Sequence, residues 1–190
     1  MRADTSVPIH SVIATRRSPR AFVEGYLIPR EDQIAILEAA RWAPSAFNGQ
    51  PWRFLVGNHG DETFTQILSS LGEFNQNWAK RASTLILVAS TTVKADGTPH
   101  GDYLYDCGLA VSQLVFEAHD RGLVAHQMTG FNKDIARSAV GLPDALVPVV
   151  VIALGKQGAV DTLPPQLAER EVAPRQRLPL DEIVIKGLPS

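Results

Sequence analysis

Ala43-Pro-Ser-Ala-Phe-Asn-Gly-Gln-Pro-Trp-Arg-Phe54 packs two prolines, a glycine, an asparagine and a serine into twelve residues, and it divides the chain. So many turn formers cannot continue a helix. The helical period before it, Ile36, Leu37, Ala40 and Ala43, therefore ends at Pro44. After it, Trp52 to Gly57 reads as a strand. The acids Glu31 and Asp32 stand in the first turn of that helix, where its dipole favours them.

Working outward, residues 8 to 15 form a short amphipathic helix closed by Pro19, which also extends Ser18. On the other side, Phe64, Ile67, Leu68 and Leu71 mark a helix, and Leu85 to Ser90 a buried strand. The longest periodic stretch runs from about Asp102 to Arg121, with Leu104, Cys107, Val111, Leu114, Val115 and Ala118 on one face and Gly122 as its stop. Gly108 and Ala110 on it allow another helix to approach closely. Leu123 to Met128 reads as a strand, followed by a helix with Asn132 as N-cap and Gly141 as its stop. Val147 to Leu154 is uniformly apolar, the pattern of a central strand covered on both faces, with Pro148 confined to its beginning. From Gly155 the chain turns polar and proline-rich, and Glu182 to Ile185 offers a last strand far from the other elements.

With 190 residues and a single cysteine, the chain is expected to be one domain, residues 1–190, in which 156–190 form an extended C-terminal arm. The lone Cys107 and the absence of an apolar segment among the first twenty residues lead us to expect a cytoplasmic protein. No apolar run approaches membrane-spanning length. The net charge of −2 argues against a nucleic-acid partner.

The distribution of charge says more than its total. Thirteen of the eighteen basic residues are arginine, and Arg16, Arg17 and Arg20 fall within Arg-Arg-Ser-Pro-Arg. Arg175 and Arg177 form a second pair. Like charges crowded together repel and call for an anion, and the planar fork of arginine matches phosphate oxygens. The alternative is a solvated basic surface.

Other chemistries lack their residues. No two of the five histidines have helical metal-ligand spacing, so no metal site is expected. Cys107 sits mid-helix on the apolar face and reads as a small buried hydrophobe. Neither a G-x-G-x-x-G fingerprint, nor a phosphate-binding P-loop, nor a G-x-S-x-G elbow occurs. Any reactive chemistry then belongs to an organic cofactor that the protein positions, and no catalytic side chain is assigned.

Taken in order, Arg16-Arg-Ser-Pro-Arg20 with Phe22, the block Ala43 to Phe54, Met128-Thr-Gly-Phe131, Gly141-Leu-Pro143 with Val149 to Gly155, and Arg175-Gln-Arg-Leu-Pro-Leu-Asp181 resemble the nitroreductase family over nearly the whole chain. The Ala-Pro-Ser-x-x-Asn-x-Gln-Pro-Trp-x-Phe block is the most specific of them. The resemblance implies an α+β fold with a mainly antiparallel central sheet flanked by helices. It also implies a homodimer in which the C-terminal strand is exchanged onto the partner's sheet, and FMN as cofactor with NAD(P)H as co-substrate. Electrons would pass by a ping-pong mechanism to a small-molecule nitroaromatic or quinone acceptor.

The same resemblance assigns the site. Arg16, Arg17, Ser18, Arg175 and Arg177 surround the flavin phosphate, the arginines converging across a pair of subunits. Pro44, Ser45, Ala46 and Asn48 reach the flavin bound mainly by the other subunit. Asn75 bonds the pyrimidine edge, the segment Met128, Thr129 and Gly130 aims a backbone N–H at flavin N5, and Arg20 supplies positive potential beside N1. Some family members carry a lysine three residues after that asparagine, where this chain has Trp78; a flavin harder to reduce is expected, and Trp78 is read as packing rather than as a stacking platform. Trp52 and Phe54 are read as strand core. Two other readings remain: a non-catalytic flavin-binding or storage protein, and a dehydrogenase or dehalogenase branch of the same family.

Overall fold

Eight consecutive apolar residues from Val147 to Leu154 need cover on two sides, and the fold is arranged around that requirement. The structure, a computed structural model, describes residues 2–94 and 96–187. In chain order the helices are α1 (Ser11–Thr15), α2 (Arg30–Arg41), α3 (Glu62–Ser69), α4 (Glu73–Ala79), α5 (Tyr103–Asp120), α6 (Lys133–Ala139), α7 (Pro165–Val172) and α8 (Leu180–Ile183). The strands are β1 (Trp52–Asn58), β2 (Thr84–Thr91), β3 (Val124–Met128) and β4 (Leu146–Gly155), joined in one antiparallel sheet of order β1-β2-β4-β3. The α+β expectation holds. No helix among the described residues is long and apolar enough to cross a membrane.

The period-two geometry of strands sorts the core into two halves. Ile86, Val88, Val150, Ile152 and Leu154 point to one face, where they meet Ile36 and Ala40 of α2 and Cys107, Val111, Leu114 and Ala118 of α5. Leu85, Leu87, Val151 and Ala153 point to the other, against Phe64 and Ile67 of α3, Trp78 of α4, Ala136 of α6 and Leu167 of α7. A uniformly apolar β4 is what two covered faces demand. Pro148 is accommodated by a register shift: Val88 pairs with Val150 but Ala89 with Pro148, so the residue that lacks an N–H sits at an irregularity in the ladder. Asn132 caps α6 by accepting from the N–H groups of Asp134 and Ile135, and Gly141, at φ 61°, terminates that turn as expected.

Two expectations about the C-terminal part need correction. The arm does not begin at 156: residues 160 to 172 fold back on their own chain, with Leu163, Leu167 and Glu171 buried. Glu182 to Ile185 is not a strand in the chain by itself. Pro179 opens a helical turn, α8, with Asp181 and Glu182 in its first turn, where acids are favoured, and Val184 at its end is extended. Ala110 is buried inside the chain's own core, whereas Gly108 faces outward with open space over it.

Candidate functional site

Arg175 donates to the carbonyl oxygens of Ala14, at 2.6 Å, and Arg16, so the two arginine clusters meet within one chain although more than 150 residues separate them in sequence. Within the chain itself the meeting of Arg16 and Arg175 needs no second subunit. Arg17 donates to the carbonyl of Ala173 at 2.6 Å. Arg16 reaches Ser18, whose hydroxyl in turn donates to Gln127 of β3 at 3.4 Å. Arg16, Arg17, Ser18 and Arg175 are each half-buried, and Arg177 is exposed beside them.

The electrostatics of this end are one-sided. Burial, and then repulsion from Arg16, Arg17 and Arg177, lowers the pKa of Arg175; burial and Arg177 lower that of Arg16. Nearby, His119 is pushed down by burial and by Arg16, and His126 by burial and by Arg20. Every one of these shifts opposes the protonated form. The donors present, four guanidinium groups and a hydroxyl within a positive field, suit a phosphate dianion, which would turn their repulsion into binding. The residues therefore fit the phosphate of a nucleotide-type cofactor.

A wall continues from this pole along β3. His126 lies 4.7 Å from the ring of Trp78, which stacks on Phe22 at 6.2 Å between centroids. Trp78 is fully buried, so the packing reading holds, and its indole N–H donates to the side-chain Oδ1 of Asn75 at 3.3 Å. Met128 is buried in the core, which leaves only its backbone for a ligand, whereas Thr129 and Gly130 are exposed. The following residues are pinned: Phe131 bridges to Leu71, and the Asn132 N–H donates to the Ser70 carbonyl at 2.8 Å. Thr129 and Gly130 are thus held at both ends with their main chain accessible.

Arg20 lies close by, its guanidinium facing a carboxylate while its buried Nε has no hydrogen-bond partner among the described residues. Glu171, 8 % exposed, accepts the backbone N–H groups of Arg20 and Ala21 at 2.7 and 3.1 Å and stands 3.9 Å from the Arg20 guanidinium. Glu171 is a structural residue that the sequence reading did not single out.

Pro44, Ser45, Ala46 and Asn48 lie elsewhere. The Ala46 N–H donates to both carboxylate oxygens of Asp106 at 3.2 and 3.3 Å, in the first turn of α5. At the opposite end of α5, Thr15 contacts His119 at 2.8 Å beside the arginines. At a rise of about 1.5 Å per residue the two ends are roughly 20 Å apart. In one chain, therefore, the loop and the arginine pole stand at opposite ends of one helix. Around the loop the backbone is strained: Phe47, Asn48 and Gln50 take φ values of 52, 56 and 45°, a left-handed region costing of order 1 to 3 kcal/mol for each non-glycine residue. Phe47 is 96 % exposed, with Lys94 over its ring at 5.6 Å. Trp52 is buried and Phe54 partly so, as strand core.

Comparison with known proteins agrees with this architecture. A solved oxidoreductase containing FMN superposes with a TM-score of 0.91 at 37% identity, covering 98% of this chain and 95% of that one. The Bacillus subtilis protein named "Putative NAD(P)H nitroreductase YdgI" is 28% identical over 209 residues, 90% of this chain and 94% of its own length. The oxygen-insensitive NADPH nitroreductase of Helicobacter pylori is 32% identical over 89 residues, 47% of this chain and 41% of its own. The sequence profile of the nitroreductase family matches residues 13–71 and 59–156, and the chain belongs to that family.

Proposed function

We propose that the chain is an NAD(P)H-dependent oxidoreductase with FMN as its cofactor, acting as a homodimer. The observation that carries this reading is the gathering of Arg16, Arg17, Arg175 and Arg177 at one pole, where their mutual repulsion calls for a phosphate. The names of the relatives supply the redox class: one solved relative contains FMN, and two others are named as nicotinamide-dependent nitroreductases.

Arg16, Ser18, Arg175 and Arg177 hold the phosphate, with Arg17 flanking it. Asn75 presents its amide to the pyrimidine edge, its carbonyl oxygen already occupied by Trp78 and its NH₂ left to donate. The backbone N–H at Thr129 or Gly130 would be the donor to N5, and the missing Cβ of Gly130 would let the main chain come close. FMN, when bound, would supply the redox chemistry that links hydride donation by NAD(P)H to reduction of a nitroaromatic or quinone acceptor in two half-reactions. The chain's own residues bind, orient and polarise, and none is needed as an acid or base.

A second copy completes the site. Pro44, Ser45, Ala46 and Asn48, roughly 20 Å from the arginine pole along α5 of their own chain, serve the flavin of the partner. Leu104 and Tyr105 of α5 are 57 and 71 % exposed, and Leu178, Leu180, Ile183 and Ile185 of the tail are also exposed, an apolar surface that a partner would cover. The tail beyond Arg177 is the part lent to that partner, with Glu182 to Ile185 pairing as a strand on the partner's sheet.

Titrating NADH or NADPH under nitrogen into protein reconstituted with FMN tests the reading. Bleaching of the flavin band, reversed by a nitroaromatic or quinone, is expected, with a dimer by sedimentation. A band that persists with both donors overturns the oxidoreductase reading.

A further inference from the structure

Beneath the strained loop lie two polar side chains that the flavin reading does not use. Asp106 is 1 % exposed, His100 3 %, and the His100 Nε2 stands 3.7 Å from the Asp106 carboxylate. Among the described residues neither ring nitrogen of His100 has a hydrogen-bond partner, and its backbone N–H is tied to the Thr92 carbonyl at 2.8 Å. A Cβ added at Gly49 would fall 2.7 Å from that Nε2, so the imidazole is pressed against the loop backbone. A buried carboxylate persists only where donors meet it. Here the donor is the Ala46 N–H, while the first turn of α5 adds the positive end of its dipole and the imidazole stands 3.7 Å away.

We propose that Asp106 and His100 are positioning residues that clamp residues 44–50, with Phe47, Asn48 and Gln50 in the left-handed region, so that Ser45 and Asn48 are presented ready-made to the flavin of the partner subunit. The inference rests on the proposed FMN reading for what the loop serves, but not for the clamp itself. The carboxylate holds Ala46, where the helical turn begins, and the imidazole fills the space under Gly49. Between and beyond these two supports lie the three residues with positive φ, Phe47, Asn48 and Gln50. A loop with this backbone would relax without them, because non-glycine residues rarely keep such angles unless the surroundings over-determine them. Preorganisation of this kind reduces the ordering cost when a ligand binds.

The test is hydrogen exchange at the amides of residues 45 to 50 in flavin-free protein, with FMN affinity measured in parallel. Asp106→Ala should speed exchange in the loop by about tenfold or more while residues 84 to 91 of β2 stay protected. It should also weaken FMN by about tenfold. Asp106→Asn, whose side-chain oxygen still accepts the Ala46 N–H, should restore most of both. Gly49→Ala leaves the buried acid in place and should loosen the same amides by displacing the loop from His100, which keeps the proposal testable if Asp106→Ala fails to fold. Unchanged loop exchange in Asp106→Ala and Gly49→Ala overturns the clamp. Faster exchange with unchanged FMN affinity overturns the positioning role while the FMN reading stands. Failure of the wild type to bind FMN overturns the flavin reading and with it the loop's role, and the exchange data still decide the clamp.

Discussion

The two ends of α5 store free energy in different forms. At the end near His119, four arginines are brought together against their own repulsion, and what is stored is electrostatic. At the end near Asp106, three residues are held at positive φ, and what is stored is conformational. The first is released by an anion and the second by nothing short of breaking the loop. The difference teaches what each pole can do: an electrostatically stressed pole recognises a charge, and a mechanically stressed one offers a fixed shape.

The comparison can be broken most forcefully at the arginine pole. Arg175→Ala removes a guanidinium whose charge-assisted bonds are worth about 1.5 to 3 kcal/mol each, so FMN affinity should fall by about 10- to 100-fold in a fluorescence titration. A smaller change would mean that the phosphate is held elsewhere. Glu171→Ala should cost about 2 to 3 kcal/mol in chemical denaturation of the flavin-free protein, because the N–H groups of Arg20 and Ala21 lose their acceptor and Arg20 its counter-charge.

The pH dependence sharpens the same contrast. His126 is depressed in the folded state by burial and by Arg20, so the unfolded chain binds a proton more readily. Its contribution to stability is present above the unfolded value near 6.5 and is lost as pH falls from there through the folded value, at no more than about 1.4 kcal/mol per pH unit. His126→Phe, measured by denaturation between pH 7 and 5, should flatten that decline. The smallest effect is expected at the loop. Phe47→Gly removes a left-handed penalty of about 1 kcal/mol or more, partly offset by the backbone entropy of glycine, so stability should rise by about 0.5 kcal/mol. A loss there would show that the Phe47 ring, not the backbone, carries the loop's energy.

Much of this was legible in the sequence for physical reasons. The apolar run Val147 to Leu154 required cover on two faces, and the periodicity after Asp102 supplied one of the covers. The crowding of the arginines at 16–17 and 175–177 pointed to an anion, and the expectation that one ligand takes both clusters came from the family resemblance. What was missed turned on buried acids. Leu163, Leu167 and Glu171 are buried at intervals of four residues, but the acid interrupts the apolar pattern, so the segment read as an arm and not as part of the core. Asp106 likewise occupies the apolar stripe of α5, one turn before Ala110; an acid on such a stripe was the available signal for a buried polar support. At the C-terminus, Ile183, Val184 and Ile185 carry a β-branched signature, yet a strand needs an edge to pair with, and within one chain Pro179, Asp181 and Glu182 favour a helical turn instead.

The central claim is that residues from the two ends of the chain are gathered to hold a phosphate. The direct measurement is a pair of fluorescence titrations of flavin-free protein, one with FMN and one with riboflavin, which differ only in that group. The account predicts that FMN binds at least about 100-fold more tightly and that the advantage shrinks as salt is raised. Equal affinity for the two flavins, at any salt concentration, would contradict it.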